Sequence, residues 1–145
     1  MPSKGNAEWK GDLKSGSGTF TAGEDISGSY SFKSRFEDGN GANPEQLIGA
    51  AHSACFSMAL SNALAEAGTP VDSVKTDAVV TLRIVDGAPT ITKIALTTVG
   101  EVPGIDEAAF VAAAEDAKAN CPVSKALAGV EEMTLSASLS APVGA

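Results

Sequence analysis

Residues 43–60 read NPEQLIGAAHSACFSMAL, and the rest of the chain is best interpreted from this run. Asn43 is a suitable helix cap, and Pro44 suits the first position of a helix because the amide hydrogen that proline lacks would be unpaired there anyway. The pattern predicts a helix that continues to about Ala67, where Gly68 supplies the left-handed residue that commonly ends a helix.

This helix has no charged face, because no Asp, Glu, Lys or Arg occurs between Leu47 and Ala65. A helix that is apolar or small on every side must be buried on every side. A membrane span is disfavoured, since a histidine, an asparagine and several serines dilute the apolar run that a span needs. A small domain covers one side of such a helix, so we expect a second subunit on the other side and therefore a homodimer.

Composition narrows the class of protein further. A chain of 145 residues with 43% hydrophobic residues predicts one globular domain over residues 1–145. The net charge of −8 disfavours binding to nucleic acid or to an anionic membrane, because both would repel the protein. The first eight residues lack the apolar core of a signal peptide, which favours the reducing cytoplasm, where cysteines are more often catalytic or metal-binding than structural.

The remaining pattern predicts an α+β fold with mostly antiparallel sheets. Glycine-rich turns separate short strands in the first third of the chain, and alternating apolar residues indicate longer strands later. Asp106 is a suitable cap for an alanine-rich helix that ends before Pro122. The predicted strands are residues 6–13, 19–22, 29–34, 73–85, 90–102 and 134–140, and a further short helix is predicted at 123–127.

The two cysteines of the chain suggest redox chemistry. Cys55 lies within the uncharged helix, so its surroundings are expected to determine its reactivity. Cys121 directly precedes Pro122 at a helix end, so its mobility is expected to determine its role. A free cysteine is only about 3% thiolate at neutral pH, and burial lowers that fraction. A nearby positive charge is therefore needed to activate Cys55.

Arg35 is the candidate for that charge, at the end of the strand that leads towards the long helix. A guanidinium about 4 Å from a thiolate contributes about 4 kcal/mol at an effective dielectric constant near 20. Glu45 is the carboxylate expected to hold the guanidinium. An unbroken helix would separate Glu45 from Cys55 by about 15 Å, so either the helix is interrupted near Gly49 or the two residues of one site come from different subunits, which we favour.

Other interpretations of these residues stay open. His52 shares a helix face with Cys55, which permits a Cys–His pair for acyl transfer, although a buried interface histidine is the commoner outcome. A zinc site would lack a fourth ligand. Either cysteine could also be a packed core residue. Four further side chains could line an apolar substrate pocket or belong to the core: Phe36, Phe56, Met58 and Phe110.

The chain resembles the osmotically inducible protein C and organic hydroperoxide resistance (OsmC/Ohr) family, and the position of Arg35 is similar to that in its OsmC branch. Several separated motifs agree in order, which is more specific than any single motif. The resemblance is carried by Asn43-Pro44-Glu45-Gln46-Leu47, Ala50-Ala51-His52-Ser53-Ala54-Cys55-Phe56, Ile91-Thr92-Lys93-Ile94-Ala95-Leu96, Val102-Pro103-Gly104-Ile105-Asp106 and Asn120-Cys121-Pro122-Val123-Ser124.

The resemblance implies an intertwined α+β homodimer with active sites at the subunit interface. It implies that Cys55 is the peroxidatic cysteine, Cys121 the resolving cysteine, and Arg35 with Glu45 the pair that stabilises the thiolate. The expected activity is reduction of organic hydroperoxides, and more weakly of hydrogen peroxide, through a sulfenic acid and a disulfide that an external dithiol, such as a lipoylated protein, reduces. No metal or organic cofactor is expected. A redox sensor or ligand-binding stress protein on the same scaffold is the alternative.

Overall fold

A computed structural model describes residues 1–140, which form parts of two compact units. The first unit is Met1–Leu47 and the second begins at Ile48. Each unit contains a three-stranded sheet, so the predicted α+β class is confirmed. A single domain over residues 1–145 stays a prediction.

The first unit is an antiparallel meander followed by one short helix. Its strands are β1 (Gly5–Lys10), β2 (Ser17–Ala22) and β3 (Ile26–Tyr30), paired in chain order. The strand predicted over residues 29–34 is wrong after Tyr30, because Phe32–Phe36 forms helix α1. Ser31 caps this helix: its hydroxyl accepts the Ser34 amide hydrogen at 3.1 Å, while the Ser34 hydroxyl accepts that of Ser31 at 2.8 Å.

Helix α2 spans Pro44–Glu66 without interruption. As predicted, the Asn43 side chain caps it, accepting the Gln46 amide hydrogen at 2.8 Å, and Gly68 follows its end with a φ of +88°. The alternative of a helix interrupted near Gly49 is therefore wrong.

Within one chain, α2 buries a single face. Every fourth residue along that face is buried, in the order His52, Phe56, Leu60 and Leu64. On the opposite side Met58 is 76% exposed, so burial on every side is not achieved by one chain. By length and composition α2 is the one helix among residues 1–140 that could cross a membrane, but its buried face packs into the core of the second unit.

The sheet of the second unit is built from β4 (Ser73–Val85), β5 (Ala88–Glu101) and β6 (Glu132–Leu139). Strands β4 and β5 are antiparallel, whereas β5 and β6 are parallel. Parallel neighbours need a crossover connection, which here consists of α3 (Glu107–Asn120) and α4 (Pro122–Ala126). The prediction of mostly antiparallel pairing is confirmed, with this one exception.

The core of the second unit lies between α2, β5 and α3. Side chains from all three elements are fully or almost fully buried: Phe56, Leu60, Leu64, Ile94, Leu96, Phe110, Ala114 and Ala117. Cys121 belongs to the same cluster. The junction of α3 and α4 is therefore fixed against the core, and this junction positions the second cysteine.

Candidate active site

Arg35 and Glu45 form a two-pronged ion pair in the first unit. The Arg35 Nη2 and Nε atoms donate to Glu45 Oε1 at 2.8 and 3.1 Å, and Nε also lies 3.3 Å from Oε2. The Glu45 side chain is 8% exposed and that of Arg35 is 34% exposed. A carboxylate this buried needs its charged partner, so the pairing predicted from sequence is observed.

A set of hydrogen bonds brings α1 to the start of α2. The Ser34 hydroxyl donates to the Ala42 carbonyl at 2.7 Å, and the Asn43 amide donates to the Ser34 carbonyl at 3.0 Å. Arg35 belongs to α1, so its predicted position at the end of a strand is wrong. The Ser31 and Ser34 capping box was the signal in the sequence that could have located this helix.

Arg35 borders a largely apolar cavity of about 430 Å³ in the first unit. Aromatic rings dominate its lining, which comprises Trp9, Gly11, Leu13, Tyr30, Ser31, Phe32, Arg35 and Phe36. Phe36 also stacks beneath Arg35, with the guanidinium carbon 5.4 Å from the ring centre. The cavity thus combines one positive charge with room for an apolar group.

Cys55 lies on α2 in the second unit and is half-buried. Burial raises the pKa of Cys55, the backbone amide of Val123 lowers it, and the neighbouring Cys121 thiol raises it again. The net direction is upward, opposite to the lowered pKa expected for an activated cysteine. Among residues 48–140, no charged side chain lowers the pKa of Cys55.

Cys121 stands where α3 ends and α4 begins, as predicted, but it is the more buried thiol at 1% exposure. Its sulfur accepts the Ser124 amide hydrogen at 3.3 Å and donates to the Ser124 hydroxyl at 3.1 Å. Cys121 is therefore more buried than Cys55, because the helix junction that carries it packs into the core. The expected mobility of Cys121 stays a prediction.

His52 is fully buried but does not pair with Cys55. Its Nε2 atom lies 2.7 Å from the Ser124 hydroxyl, and burial lowers the pKa of His52. Sequence reasoning missed Ser124, whose link to His52 spans 72 positions and leaves no local signal.

The remaining candidates divide between core and surface. Phe56 and Phe110 are fully buried in the core, whereas Phe36 lines the cavity and Met58 is exposed. Among residues 1–140, no group of three His, Cys, Asp or Glu side chains is placed to hold a metal ion.

Similar proteins identify the class to which this arrangement belongs. The family described as OsmC-like protein matches residues 37–136. Peroxiredoxin OsmC of Escherichia coli (strain K12) and that of Shigella flexneri are each 51% identical over 126 residues, covering 86% of this chain and 88% of theirs. A solved organic hydroperoxide resistance protein from Elizabethkingia anophelis has the same fold, with a TM-score of 0.75 at 23% identity over 97% of this chain and 99% of its own.

Proposed function

Because the chain belongs to the OsmC-like family and is a cysteine-based peroxidase of the peroxiredoxin type, we propose that it prefers organic hydroperoxides to hydrogen peroxide. We further propose that it works through a Cys55 sulfenic acid and a Cys55–Cys121 disulfide. The observation that carries this proposal is that both free thiols lie in one unit, with Cys55 packed against the buried cluster that contains Cys121.

The proposed reaction has two chemical steps before reduction. The Cys55 thiolate attacks the hydroxyl oxygen of the hydroperoxide, the O–O bond breaks, and the alkoxide leaves and takes up a proton to become an alcohol. The Cys121 thiol then attacks the sulfur of the resulting sulfenic acid, forming the disulfide and releasing water. An external dithiol, of which a lipoylated protein is the proposed source, reopens the disulfide by exchange.

A complete site in this proposal requires two chains. The unbroken α2 separates the backbones of Glu45 and Cys55 by about 15 Å, and no charged side chain among residues 48–140 lowers the pKa of Cys55. Large apolar side chains are exposed on α2 and β4, including Met58, Val79 and Ile84, and a second copy of the chain would cover them. The homodimer therefore joins Arg35 and Glu45 of one subunit to Cys55 of the other.

The preference for organic substrates is supported by the cavity beside Arg35. An alkyl or aryl group fits its aromatic lining, whereas hydrogen peroxide has no apolar part and gains nothing from it. The cationic edge of the cavity would stabilise the alkoxide as charge develops on it. In the cytoplasm, where we propose that the protein acts, the thiols would be kept reduced between turnovers.

The test is a peroxide-consumption assay with dihydrolipoamide as reductant. A bulky organic hydroperoxide and hydrogen peroxide are compared at equal concentrations, and we expect the organic substrate to have the higher kcat/KM. Equal values would contradict the proposed preference. A protein that oxidises once and is not recycled by the dithiol would instead fit the redox-sensor alternative.

A further inference from the structure

Cys121 is hydrogen-bonded to Ser124, which is hydrogen-bonded to His52, and neither Ser124 nor His52 has a part in the reaction described above. The Cys121 sulfur is 3.1 Å from the Ser124 hydroxyl oxygen, and that oxygen is 2.7 Å from His52 Nε2. The three residues are 1%, 5% and 0% exposed, respectively. They come from α2 and from the start of α4, so tertiary packing alone brings them together.

The hydrogen bonds among these three residues have a consistent direction. The Cys121 thiol donates its one hydrogen to the Ser124 oxygen, which leaves the hydroxyl hydrogen of Ser124 free to point at His52. In the tautomer that this arrangement favours, His52 Nε2 accepts that hydrogen and the ring proton resides on Nδ1. All three groups are thereby oriented for a proton to move from sulfur towards the imidazole.

The other side of the His52 ring argues against a purely structural role. Its Nδ1 atom is buried and has no hydrogen-bond partner among residues 1–140. An unpaired buried donor costs about 1–3 kcal/mol, and an apolar side chain would fill this part of the core without that cost. A purely structural histidine would therefore carry this free-energy cost with no compensating gain, whereas a role for Nε2 in proton transfer would explain its presence.

We propose that Ser124 and His52 relay the proton of the Cys121 thiol when this thiol closes the disulfide, with His52 acting through Ser124 as a positioning residue. This inference rests on the proposed disulfide mechanism. The thiol proton passes to the Ser124 oxygen while the hydroxyl proton passes to His52 Nε2, and the new S–S bond displaces hydroxide from the Cys55 sulfenic acid. The hydroxide takes up a proton from solvent and leaves as water, and His52 returns its proton to solvent, so that the step consumes no net proton.

The burial of His52 suits a side chain that holds a proton only briefly. The lowered pKa of His52 arises from burial, without a contribution from a charged neighbour among the described residues. The imidazole is therefore neutral near pH 7 and able to accept a proton, while burial of the imidazolium favours prompt release of that proton. A histidine held permanently charged could not serve in this way.

The experiment measures closure of the disulfide without any hydroperoxide. Cys55 of the full chain is converted to a mixed disulfide with thionitrobenzoate, and attack by Cys121 releases the coloured thiol. The variants are His52→Gln, Ser124→Ala and, as the conservative control, Ser124→Thr, which keeps the hydroxyl. Thermal unfolding of each variant reports whether the core is intact.

We expect His52→Gln and Ser124→Ala to slow release about 100-fold near pH 7, a typical general-base contribution, and Ser124→Thr to retain most of the rate. Release in the slowed variants should recover in alkali, where hydroxide removes the thiol proton directly. The double variant His52→Gln with Ser124→Ala should be no slower than Ser124→Ala alone, because both changes break one relay.

Two results would overturn the relay. One is an unchanged rate near pH 7 in folded His52→Gln or, if that variant does not fold, in Ser124→Ala. The other is a slow rate that persists at every pH, which would indicate a disturbed structure. Failure of the wild-type protein to reduce hydroperoxides would refute the proposed function separately, since thionitrobenzoate release does not depend on it.

Discussion

Replacement of Arg35 by methionine removes the guanidinium while keeping most of the apolar stem. In the proposed dimer this charge lies near the Cys55 thiolate of the other subunit, so its loss should raise the pKa of Cys55 beyond the increase that burial already causes. Activity near neutral pH should fall and should recover in alkali, because the thiolate fraction grows as the pH approaches the pKa.

The size of the effect follows from the geometry of the ion pair. A guanidinium about 4 Å from the thiolate contributes about 4 kcal/mol at an effective dielectric constant near 20. Glu45, bonded to Arg35 at 2.8 Å, remains in the variant, so its charge acts on the thiolate before and after the substitution and does not reduce this difference. A loss of about 4 kcal/mol corresponds to about 3 pKa units.

The assay is a pH titration of Cys55 alkylation in a Cys121→Ser background, where one thiol remains. The matched control is Arg83→Met, which removes the same charge from the exposed part of β4. We expect an upward shift of up to about 3 pKa units for Arg35→Met and almost none for Arg83→Met. An unchanged Cys55 pKa in Arg35→Met, or equal shifts in both variants, would refute activation by Arg35.

Three further results are expected. Cys55→Ser should abolish peroxide reduction, whereas Cys121→Ser should complete one oxidation and leave a trappable sulfenic acid; equal loss of single-turnover reaction in both would contradict the assigned roles. Sedimentation at micromolar concentration should show two chains per particle, and a stable monomer would contradict the need for a second subunit. Phe110→Ala should lower the free energy of unfolding by about 3–5 kcal/mol because it empties a core site, with little change in KM; a raised KM at unchanged stability would place Phe110 in the substrate pocket instead.

Elements with a strong local signal could be predicted from the sequence. The alternating residues of β4 gave its bounds, and the Asn43 cap with Gly68 gave those of α2 to within a residue or two. Helix α1 could not be predicted from periodicity, because five residues are too few to distinguish the period of a helix from that of a strand. The parallel pairing of β5 with β6 depends on a crossover of two helices and has no local signature.

The features of the site also differ in whether the sequence could predict them. The Arg35 and Glu45 pair could be predicted from residue chemistry, whereas the pairing of the two thiols was implied by the family resemblance and stays a prediction. The relative burial of Cys55 and Cys121 could not be predicted, because burial depends on which elements pack around a residue. The Ser124 and His52 contact was inaccessible for the same reason, since nothing near either residue in the sequence indicates the other.

The unbroken α2 helix has a consequence for mixed populations of subunits. If each helix contributes its Glu45 end to one site and its Cys55 to the other, two inactive variants can restore each other. A dimer of one Arg35→Met chain and one Cys55→Ser chain has one site with every required group and one site lacking two of them. With free exchange of subunits, half of the dimers are mixed and about one quarter of all sites are intact. Two defective alleles of this gene expressed together would then complement each other, as no pair of variants could if each chain carried its own complete site.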